Sequence, residues 1–278
     1  MNISMKKLAN GYEIPTIGFG TVYLKGEECA EAVKNAIQEG YRLIDTAIRY
    51  DNEAAVGEGI KRSGVAREEL FITSKLRAQY YEYEIALQMI EESLLRLQLD
   101  YIDLYLLHWP NPKQDKYVEA WHALIEAQNR GLVKSIGVCN FMPEHLNRLE
   151  EETGVLPVIN QIELHPYFTQ QEQRQFNASK NIVTEAWSPL SRARTVIFDE
   201  TIKKIAEQKG KTVAQIILRW HYQIGVVAIP KAASYEHQRE NLAIFDFELT
   251  EEEMETIESL TQESGRIDNQ DPRVFEEY

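Results

Sequence analysis

The chain has 278 residues, of which 44% are hydrophobic and 27% charged, a composition typical of a soluble globular protein rather than a disordered or fibrous one. Its formal net charge of −14 argues against a nucleic-acid-binding surface, because neutralising phosphates requires clustered Lys and Arg side chains. The apolar runs are strand-sized, far below the ~20 residues of a membrane-spanning helix, and no signal peptide is visible, so we expect a cytoplasmic protein that binds no membrane.

Short β-type runs alternate with amphipathic helical patterns along most of the chain, after a predicted hairpin across Asn10-Gly11. Eight candidate strands cover residues 16–19, 42–45, 70–74, 102–107, 134–139, 158–162, 182–186 and 226–229. The helical patterns cover residues 27–39, 53–63, 82–97, 116–129, 144–150, 170–179, a pair within 199–222, and 235–242. They carry apolar residues at three- and four-residue spacing, as at Leu87, Ile90, Leu94 and Leu97.

Repeated βα units predict a parallel sheet covered by helices. Eight such units over this length fit a closed (β/α)8 TIM barrel better than an open, doubly wound sheet. No shift in composition marks a linker, so we expect residues 1–278 to form one α/β domain. The amino-terminal hairpin, a further helix over 250–260 and a charged tail over 261–278 are additions, and we expect the tail to fold over the barrel mouth.

Three successive predicted strands end in ionisable residues. Asp45 ends the second strand, Lys75 the third and His108 the fourth, and Tyr50 follows shortly after Asp45. In barrels of this kind the active site lies at the carboxyl ends of the strands. Singly, each residue is explained as a cap or a satisfied buried polar group. Together at one rim, the four predict a catalytic site.

The chemistry of these four residues suits adding a proton to an oxygen while a hydride reaches the neighbouring carbon. A phenol has an unperturbed pKa of ~10, and a nearby cation such as Lys75 favours its ionised form. Asp45 is placed to keep Lys75 protonated, and His108 to hydrogen-bond a substrate carbonyl. The four residues do not by themselves identify the hydride source.

Sequence segments across nearly the whole chain resemble the aldo-keto reductases, in particular bacterial members that reduce 2,5-diketo-D-gluconate or glyoxal. They are GFGT at 18–21, DTAIRYDNE at 45–53, Gly57, Lys75, LHWP at 107–110, IGVCNF at 136–141, NQIE at 160–163, SPL at 188–190 and IPK at 229–231. The resemblance implies NADP(H)-dependent reduction of aldehydes or ketones, with small carbonyls, dicarbonyls or keto-sugars as substrates. It also implies Tyr50 as general acid, tuned by Lys75 and Asp45, and His108 as the residue that orients the substrate.

Members of this family bind the cofactor extended across the barrel mouth, without a Rossmann domain. The resemblance implies that Asn140 and Gln161 hold the carboxamide, that Trp187 stacks on the nicotinamide ring, and that Lys231 and Asn241 serve the adenosine end. The full set of cofactor-binding residues expected on this basis is Gly20, Thr21, Asn140, Gln161, Trp187, Ser188, Leu190, Lys231, Ala232, His237 and Asn241.

Two of these positions depart from the common family pattern, which has Ser or Thr directly after the Lys and Arg six residues beyond it. This chain has Ala232 and His237 there. Without the fixed Arg fork, recognition of the 2′-phosphate is weaker. Lys231 remains, so we expect NADPH as cofactor, with NADH or the use of both as the alternative.

For the substrate pocket we expect Tyr23, Arg77 and Trp109. Arg77 stands where relatives often have Trp, and one interpretation is a pocket that accepts anionic substrates. In the other, Arg77 extends to solvent and touches no substrate.

Two other functions stay open at this point. A strand-end Lys75 beside acids also suits a Schiff-base aldolase, and a regulatory subunit would keep cofactor affinity without turnover. Two distant cysteines and the lack of a Cys/His cluster suggest neither a disulfide framework nor a metal site. As partner we expect only a small-molecule carbonyl, and we expect a monomer.

Overall fold

Eight parallel strands lie side by side in chain order, and their pairing defines the architecture of the computed structural model, which describes residues 3–278. The strands are β3 (Phe19–Gly20), β4 (Leu43–Asp45), β5 (Phe71–Leu76), β6 (Ile102–Leu107), β7 (Val133–Cys139), β8 (Ile159–Glu163), β9 (Val183–Trp187) and β10 (Val227–Ala228). Each pairs in parallel with its neighbour in sequence.

The sheet closes on itself between its first and last strands. Ile17 forms a parallel bridge with Ala228, and the backbone N–H groups of Gly18 and Gly20 donate to the carbonyl oxygens of Ala228 and Pro230. The predicted (β/α)8 barrel is confirmed. The closing strands are shorter than the predicted 16–19 and 226–229, because only a few ladder hydrogen bonds form across this seam.

The helices surround the barrel and agree with the sequence pattern. They are α1 (Gly26–Glu39), α2 (Glu53–Ser63), α3 (Tyr83–Leu97), α4 (Tyr117–Asn129), α5 (Pro143–Thr153), α6 (Gln171–Ser179), α7 (Glu200–Lys209), α8 (Val213–Gln223), α9 (Tyr235–Leu242) and α10 (Glu251–Glu258). Helix α5 runs beyond the predicted 144–150, because Gly154 supplies the left-handed residue that ends it, at φ 71°. Among residues 3–278, no helix combines the length and apolar character needed to cross a membrane.

The alternation of side chains along each strand builds two separate cores. Leu104 and Leu106 of β6 point into the barrel, whereas Tyr105 and Leu107 point out to the helices. The predicted hairpin is confirmed as β1 (Met5–Lys7) paired antiparallel with β2 (Glu13–Pro15). Leu8 and Ile14 of this hairpin belong to the inner cluster, so the hairpin closes the amino-terminal end of the barrel.

Helix α2 approaches its neighbours too closely for any side chain at two of its positions. A Cβ atom at Gly57 would lie 2.3 Å from the carbonyl oxygen of Leu97, and one at Gly59 would lie 2.6 Å from that of Ala30. Both obstacles are backbone atoms, which cannot rotate away. The position of α2 matters for function because the loop before it carries Tyr50.

Gly57→Ala is therefore expected to destabilise the fold by about 1–3 kcal/mol, the usual cost of overpacking a well-packed contact. Urea unfolding would measure the loss. The matched control is Lys61→Ala on the exposed face of the same helix, which should stay within about 0.5 kcal/mol of the wild type. Equal stability of the two variants would contradict the close approach of α2 to α3.

Candidate active site

A cavity of about 430 Å³ opens at the carboxyl ends of the strands. Its walls come from the loops that follow most of the strands and from the carboxyl-terminal tail, as a barrel active site requires. The predicted residues that line it are Gly20, Tyr23, Asp45, Tyr50, His108, Trp109, Asn140, Gln161, Trp187 and Ser188. The predicted folding of the tail over the mouth is confirmed, since Asp268, Gln270 and Phe275 also line the cavity.

Lys75 and Asp45 form a buried ion pair, in which Asp45 reaches the cavity floor. Strands β4 and β5 are neighbours, and both side chains turn into the barrel, so Nζ of Lys75 donates to Oδ1 of Asp45 at 2.6 Å. The same Nζ donates to the carbonyl oxygen of Thr46 at 2.9 Å. Neither side chain has more than 2% of its surface exposed. Burial alone would lower the pKa of Lys75. The opposing effect of the Asp45 carboxylate and the other nearby groups is larger, so the net pKa lies above its ordinary value.

Tyr50 is carried by a tight turn that a buried side-chain network holds in place. Asn52 donates to the carbonyl oxygens of Thr21 and Leu24, and its own carbonyl accepts from the Thr46 hydroxyl at 2.7 Å. The turn, Ile48–Tyr50, ends at Asp51 in the left-handed region at φ 47°. This geometry brings the Tyr50 hydroxyl to 3.4 Å from Nζ of Lys75.

Burial raises the pKa of Tyr50 to about 12, although the Lys75 cation acts in the opposite direction. The sequence predicts that Lys75 lowers the pKa of Tyr50 and so favours the phenolate, and the contact with Lys75 does act in that direction. The prediction is wrong for the net pKa, because the loss of hydration outweighs the cation. Tyr50 is therefore a neutral phenol near neutral pH, with a cation beside it that stabilises the phenolate formed when the proton leaves.

His108 follows β6 and lies with its ring edge-on to that of Tyr50, the two centroids 6.0 Å apart. Its Nδ1 lies 2.8 Å from Oε1 of Glu277, the second-to-last residue of the chain. The direction between the two atoms departs from that of a straight hydrogen bond, and the contact is an ion pair only when the His108 ring is protonated on both nitrogens. Sequence reasoning did not identify Glu277, because an acidic residue near a chain end carries no local signal of burial.

The residues predicted to hold the carboxamide and to stack on the ring line the same cavity, and hydrogen bonds join Asn140 to Trp187 and to His108. Trp187 donates from Nε1 to Oδ1 of Asn140 at 2.7 Å, and Asn140 donates to the carbonyl oxygen of His108. Asn140 adopts φ 63°, a left-handed conformation that Asn tolerates. Gln161 donates from Nε2 to Oδ2 of Asp45 at 3.0 Å and to Oε2 of Glu185 at 2.8 Å.

Several of these residues fit a nicotinamide cofactor. Two amide side chains and the flat indole of a tryptophan line one cavity. At Gly20 a Cβ atom would lie 3.0 Å from the carbonyl oxygen of Ile229, so the backbone at this position has little room for a side chain and lies exposed to the cavity. Lys231 and His237 are exposed near the amino end of α9, where a cation and a helix terminus suit a phosphate.

The other predicted cofactor residues are not among those that line the cavity. The hydroxyl of Thr21 donates to the backbone carbonyl of Asp45, and Ala232 and Asn241 are buried. Leu190 is half-buried and lies outside the cavity wall.

The predicted substrate residues divide. Tyr23 and Trp109 line the cavity, and Tyr23 is 68% exposed with a strained φ of 68°. Arg77 is not among the lining residues, whereas three other cations are, Lys25, Arg49 and Arg192. Phe275 of the tail packs against Trp109 with ring centroids 4.5 Å apart. Of these, sequence reasoning missed Arg49 and Phe275, although Arg49 lies inside the most recognisable segment.

Glu185 is a further ionisable group beneath the site, and its surroundings favour the neutral acid. It is fully buried in β9, and only one of its carboxyl oxygens has a hydrogen-bond partner, Gln161. Burial raises the pKa of Glu185 to about 8, and the nearby Asp45 charge acts in the same direction.

Glu185→Gln is therefore expected to become more stable, relative to the wild type, as the pH rises from about 4.5 to about 8. Over this range the unfolded chain releases the Glu185 proton while the folded chain keeps it, so the wild type loses stability that the glutamine variant retains. Urea unfolding of both proteins at pH 5 and pH 8 measures the difference. A difference that is the same at both pH values would contradict the raised pKa.

Comparisons with known proteins agree with this geometry. Residues 16–262 match the Aldo/keto reductase family. The chain is 47% identical to the methylglyoxal reductase DkgA of Yersinia pestis, over 97% of this chain and 96% of the relative. It is also 47% identical to the glyoxal reductase of Bacillus subtilis (strain 168), over 97% of each chain. A solved aldo-keto reductase of Bombyx mori in complex with NADP superposes with a TM-score of 0.91 at 35% identity, covering 100% of this chain and 99% of that one.

Proposed function

Since this chain belongs to the aldo/keto reductase family and uses NADP(H) to reduce aldehydes or ketones to alcohols, we propose that Tyr50 donates the proton to the carbonyl oxygen of small dicarbonyl substrates. The observation that carries this assignment is the short path from the Tyr50 hydroxyl to Nζ of Lys75, 3.4 Å, and on to Asp45, 2.6 Å. The path lies open to the cavity at Tyr50 and is buried at its other end.

When bound, NADPH supplies a hydride to the carbonyl carbon of the substrate. The chain's own residues handle the proton. Tyr50 gives its phenolic proton to the carbonyl oxygen, Lys75 stabilises the phenolate that remains, and Asp45 keeps Lys75 charged throughout. His108 faces the same cavity and orients the carbonyl oxygen towards Tyr50. Asn140, Gln161 and Trp187 would hold the nicotinamide against this group.

The Schiff-base aldolase is disfavoured by the state of Lys75. A nucleophilic lysine must be neutral and within reach of substrate. Lys75 has none of its side chain exposed, and its neighbours raise its pKa instead of lowering it. A regulatory subunit without turnover has no support from the geometry either, because Tyr50 and His108 share one open cavity.

The size and lining of the cavity support small dicarbonyls as substrates. Its volume is about 430 Å³, and aromatic rings of Tyr23, Trp109 and Phe275 form part of its wall. The two curated relatives described above are named for methylglyoxal and glyoxal, which are small dicarbonyls. Decay of NADPH absorbance with a panel of glyoxal, methylglyoxal and larger keto-sugars would test this. Faster turnover of the keto-sugars than of glyoxal and methylglyoxal would contradict it.

We also propose that residues 1–278 act as one domain, as a monomer in the cytoplasm. One eight-stranded sheet in chain order supports a single domain, and a monomer is compatible with a site in which Asp45, Tyr50, Lys75 and His108 converge without a residue from a second copy. Two buried cysteines that are not joined to each other are consistent with a reducing compartment.

Tyr50→Phe is expected to lower carbonyl reduction about a hundredfold to ten-thousandfold, the usual contribution of a positioned general acid. Binding of NADPH, measured by fluorescence titration, should stay near that of the wild type. Tyr101→Phe is the matched control, since Tyr101 precedes β6 at the opposite end of the barrel, with Arg67 and Lys134 over its ring. Wild-type turnover in Tyr50→Phe would refute the proposed proton donor.

The exposed Lys231 is proposed as the cation that distinguishes NADPH from NADH. Arg239, the other cation of this region, is drawn towards Glu39, with 3.4 Å between Nε and Oε2. Lys231→Ala should therefore weaken NADPH binding about tenfold and leave NADH binding nearly unchanged, because a hydrogen bond to a charged group is lost only with the 2′-phosphate. Lys204→Ala on the exposed face of α7 is the control. An equal loss for both cofactors would remove Lys231 from this role.

A further inference from the structure

We propose that Glu277 is a positioning residue for the reduction, which acts by holding a proton on Nδ1 of His108 so that only Nε2 faces the substrate. The proposal rests on the proposed function, in which His108 orients the carbonyl. It adds a residue from the end of the chain to the machinery of that site.

The carboxylate of Glu277 is placed among groups from three different barrel loops. Oε1 lies 2.8 Å from Nδ1 of His108 and accepts from Nη1 of Arg49 at 3.0 Å. Oε2 accepts from the backbone N–H of Ala78 at 3.1 Å. The side chain has none of its surface exposed, although the neighbouring Tyr278 is exposed.

The backbone of Glu277 is fixed as firmly as its side chain. Its N–H donates to Oδ1 of Asn111 at 3.0 Å, and Nδ2 of Asn111 donates to its carbonyl oxygen at 3.1 Å. Asn111 is itself buried and adopts φ 44° to meet this segment. Two residues earlier in the tail, Phe275 packs on Trp109, which directly follows His108. Such a set of contacts defines a built position, not a chance contact of a loose terminus.

The charge of Glu277 decides which nitrogen of His108 carries a proton. Burial raises the pKa of Glu277, but the nearby His108, Ala78 N–H and Arg49 outweigh it and lower the pKa to about 2. The group is therefore an anion near neutral pH, and an ionised carboxylate can only accept hydrogen bonds. Nδ1 of His108 lies 2.8 Å from this acceptor, so the contact favours the tautomer with the proton on Nδ1, since the partner of one ring nitrogen sets the state of the other.

This leaves Nε2 with a defined role. If Nε2 also bears a proton, the ring is a cation, and the buried carboxylate of Glu277 balances its charge while Nε2 donates to the substrate carbonyl oxygen. Without Glu277, the proton is free to move from Nδ1 to Nε2, and the ring is free to turn. A ring in the wrong tautomer or orientation no longer holds the carbonyl at the distance that Tyr50 needs.

The first test compares Glu277→Gln with the wild type by steady-state kinetics and by NADPH fluorescence titration. We expect kcat/KM for a dicarbonyl to fall about tenfold or more, the size of effect that carboxylates orienting a histidine have in other sites. The Kd for NADPH should change by less than about twofold, the size of effect expected when a mutation does not touch the cofactor site. Glu276→Gln is the matched control, because its carboxylate accepts from the Lys113 N–H in an exposed setting on the same tail.

The second test reads the ring directly. Protein labelled with ¹⁵N-histidine is examined by long-range ¹H–¹⁵N correlation, with His108→Gln used to assign the signal. We expect a protonated Nδ1 in the wild type and loss of that signature in Glu277→Gln. An unchanged His108 signal together with an unchanged kcat/KM would overturn the proposal. The NMR measurement needs no turnover. If the wild type reduced no carbonyl, the proposed function would be refuted, and the NMR signal would still show whether Glu277 holds the proton on Nδ1 of His108.

A double-mutant cycle separates positioning from simple stabilisation of the fold. If Glu277 acts through His108, adding Glu277→Gln to the His108→Gln variant should lower kcat/KM by less than about twofold. Fully additive losses would show a structural role and overturn the inference. Should Glu277→Gln prove too unstable to study, Glu277→Asp keeps the charge on a shorter arm. We expect it to keep the protonated Nδ1 signal, and loss of that signal in a folded Asp variant would count against the proposal.

Discussion

The ion pair between Lys75 and Asp45 lies wholly out of solvent, and much of the surrounding arrangement follows from that constraint. Each charge is costly in a dry interior unless its partner is close and its remaining polar atoms are bonded. Thr46 supplies a carbonyl oxygen to Lys75, and Gln161 donates to the second oxygen of Asp45. Burial first, and then the charge of Asp45, raise the pKa of Glu185, because the one nearby cation is already paired with Asp45. A single buried cation thus sets both the charge of the barrel floor and the chemistry of the phenol above it.

The barrel and the ionisable residues at its rim could be predicted because they depend on local periodicity. Strand β6, for example, shows its two faces in the sequence, with Leu104 and Leu106 inside and Tyr105 and Leu107 outside. Once the alternation of strands and helices predicts a barrel, the residue at the carboxyl end of each strand falls at one rim. Asp45, Lys75 and His108 then come together without knowledge of any tertiary contact.

Contacts between distant segments could not be predicted in this way. The partners Arg49 and Glu277 are 228 positions apart, and the tail that carries Glu277 has no helical or strand period to place it. For the same reason, the sequence favoured Arg77 as a cavity residue by position, whereas the cavity wall contains Arg49. The net pKa of Tyr50 was also out of reach, because it is a balance between burial and a cation, and burial depends on the folded chain. The local sequence pattern therefore predicts which ionisable residues meet at the rim, whereas their pKa values and their partners depend on tertiary packing.

The position of Glu277 also has a consequence for the biosynthesis of the protein. The ribosome makes the chain from the amino end, and the strands pair in the order in which they emerge, so most of the barrel can assemble during translation. The segment that carries Glu277 follows the last barrel strand, β10, so the ribosome makes it after every strand of the eight-stranded sheet. The strands can therefore pair before His108 has this partner, and the Glu277 contact is among the last of the site to form.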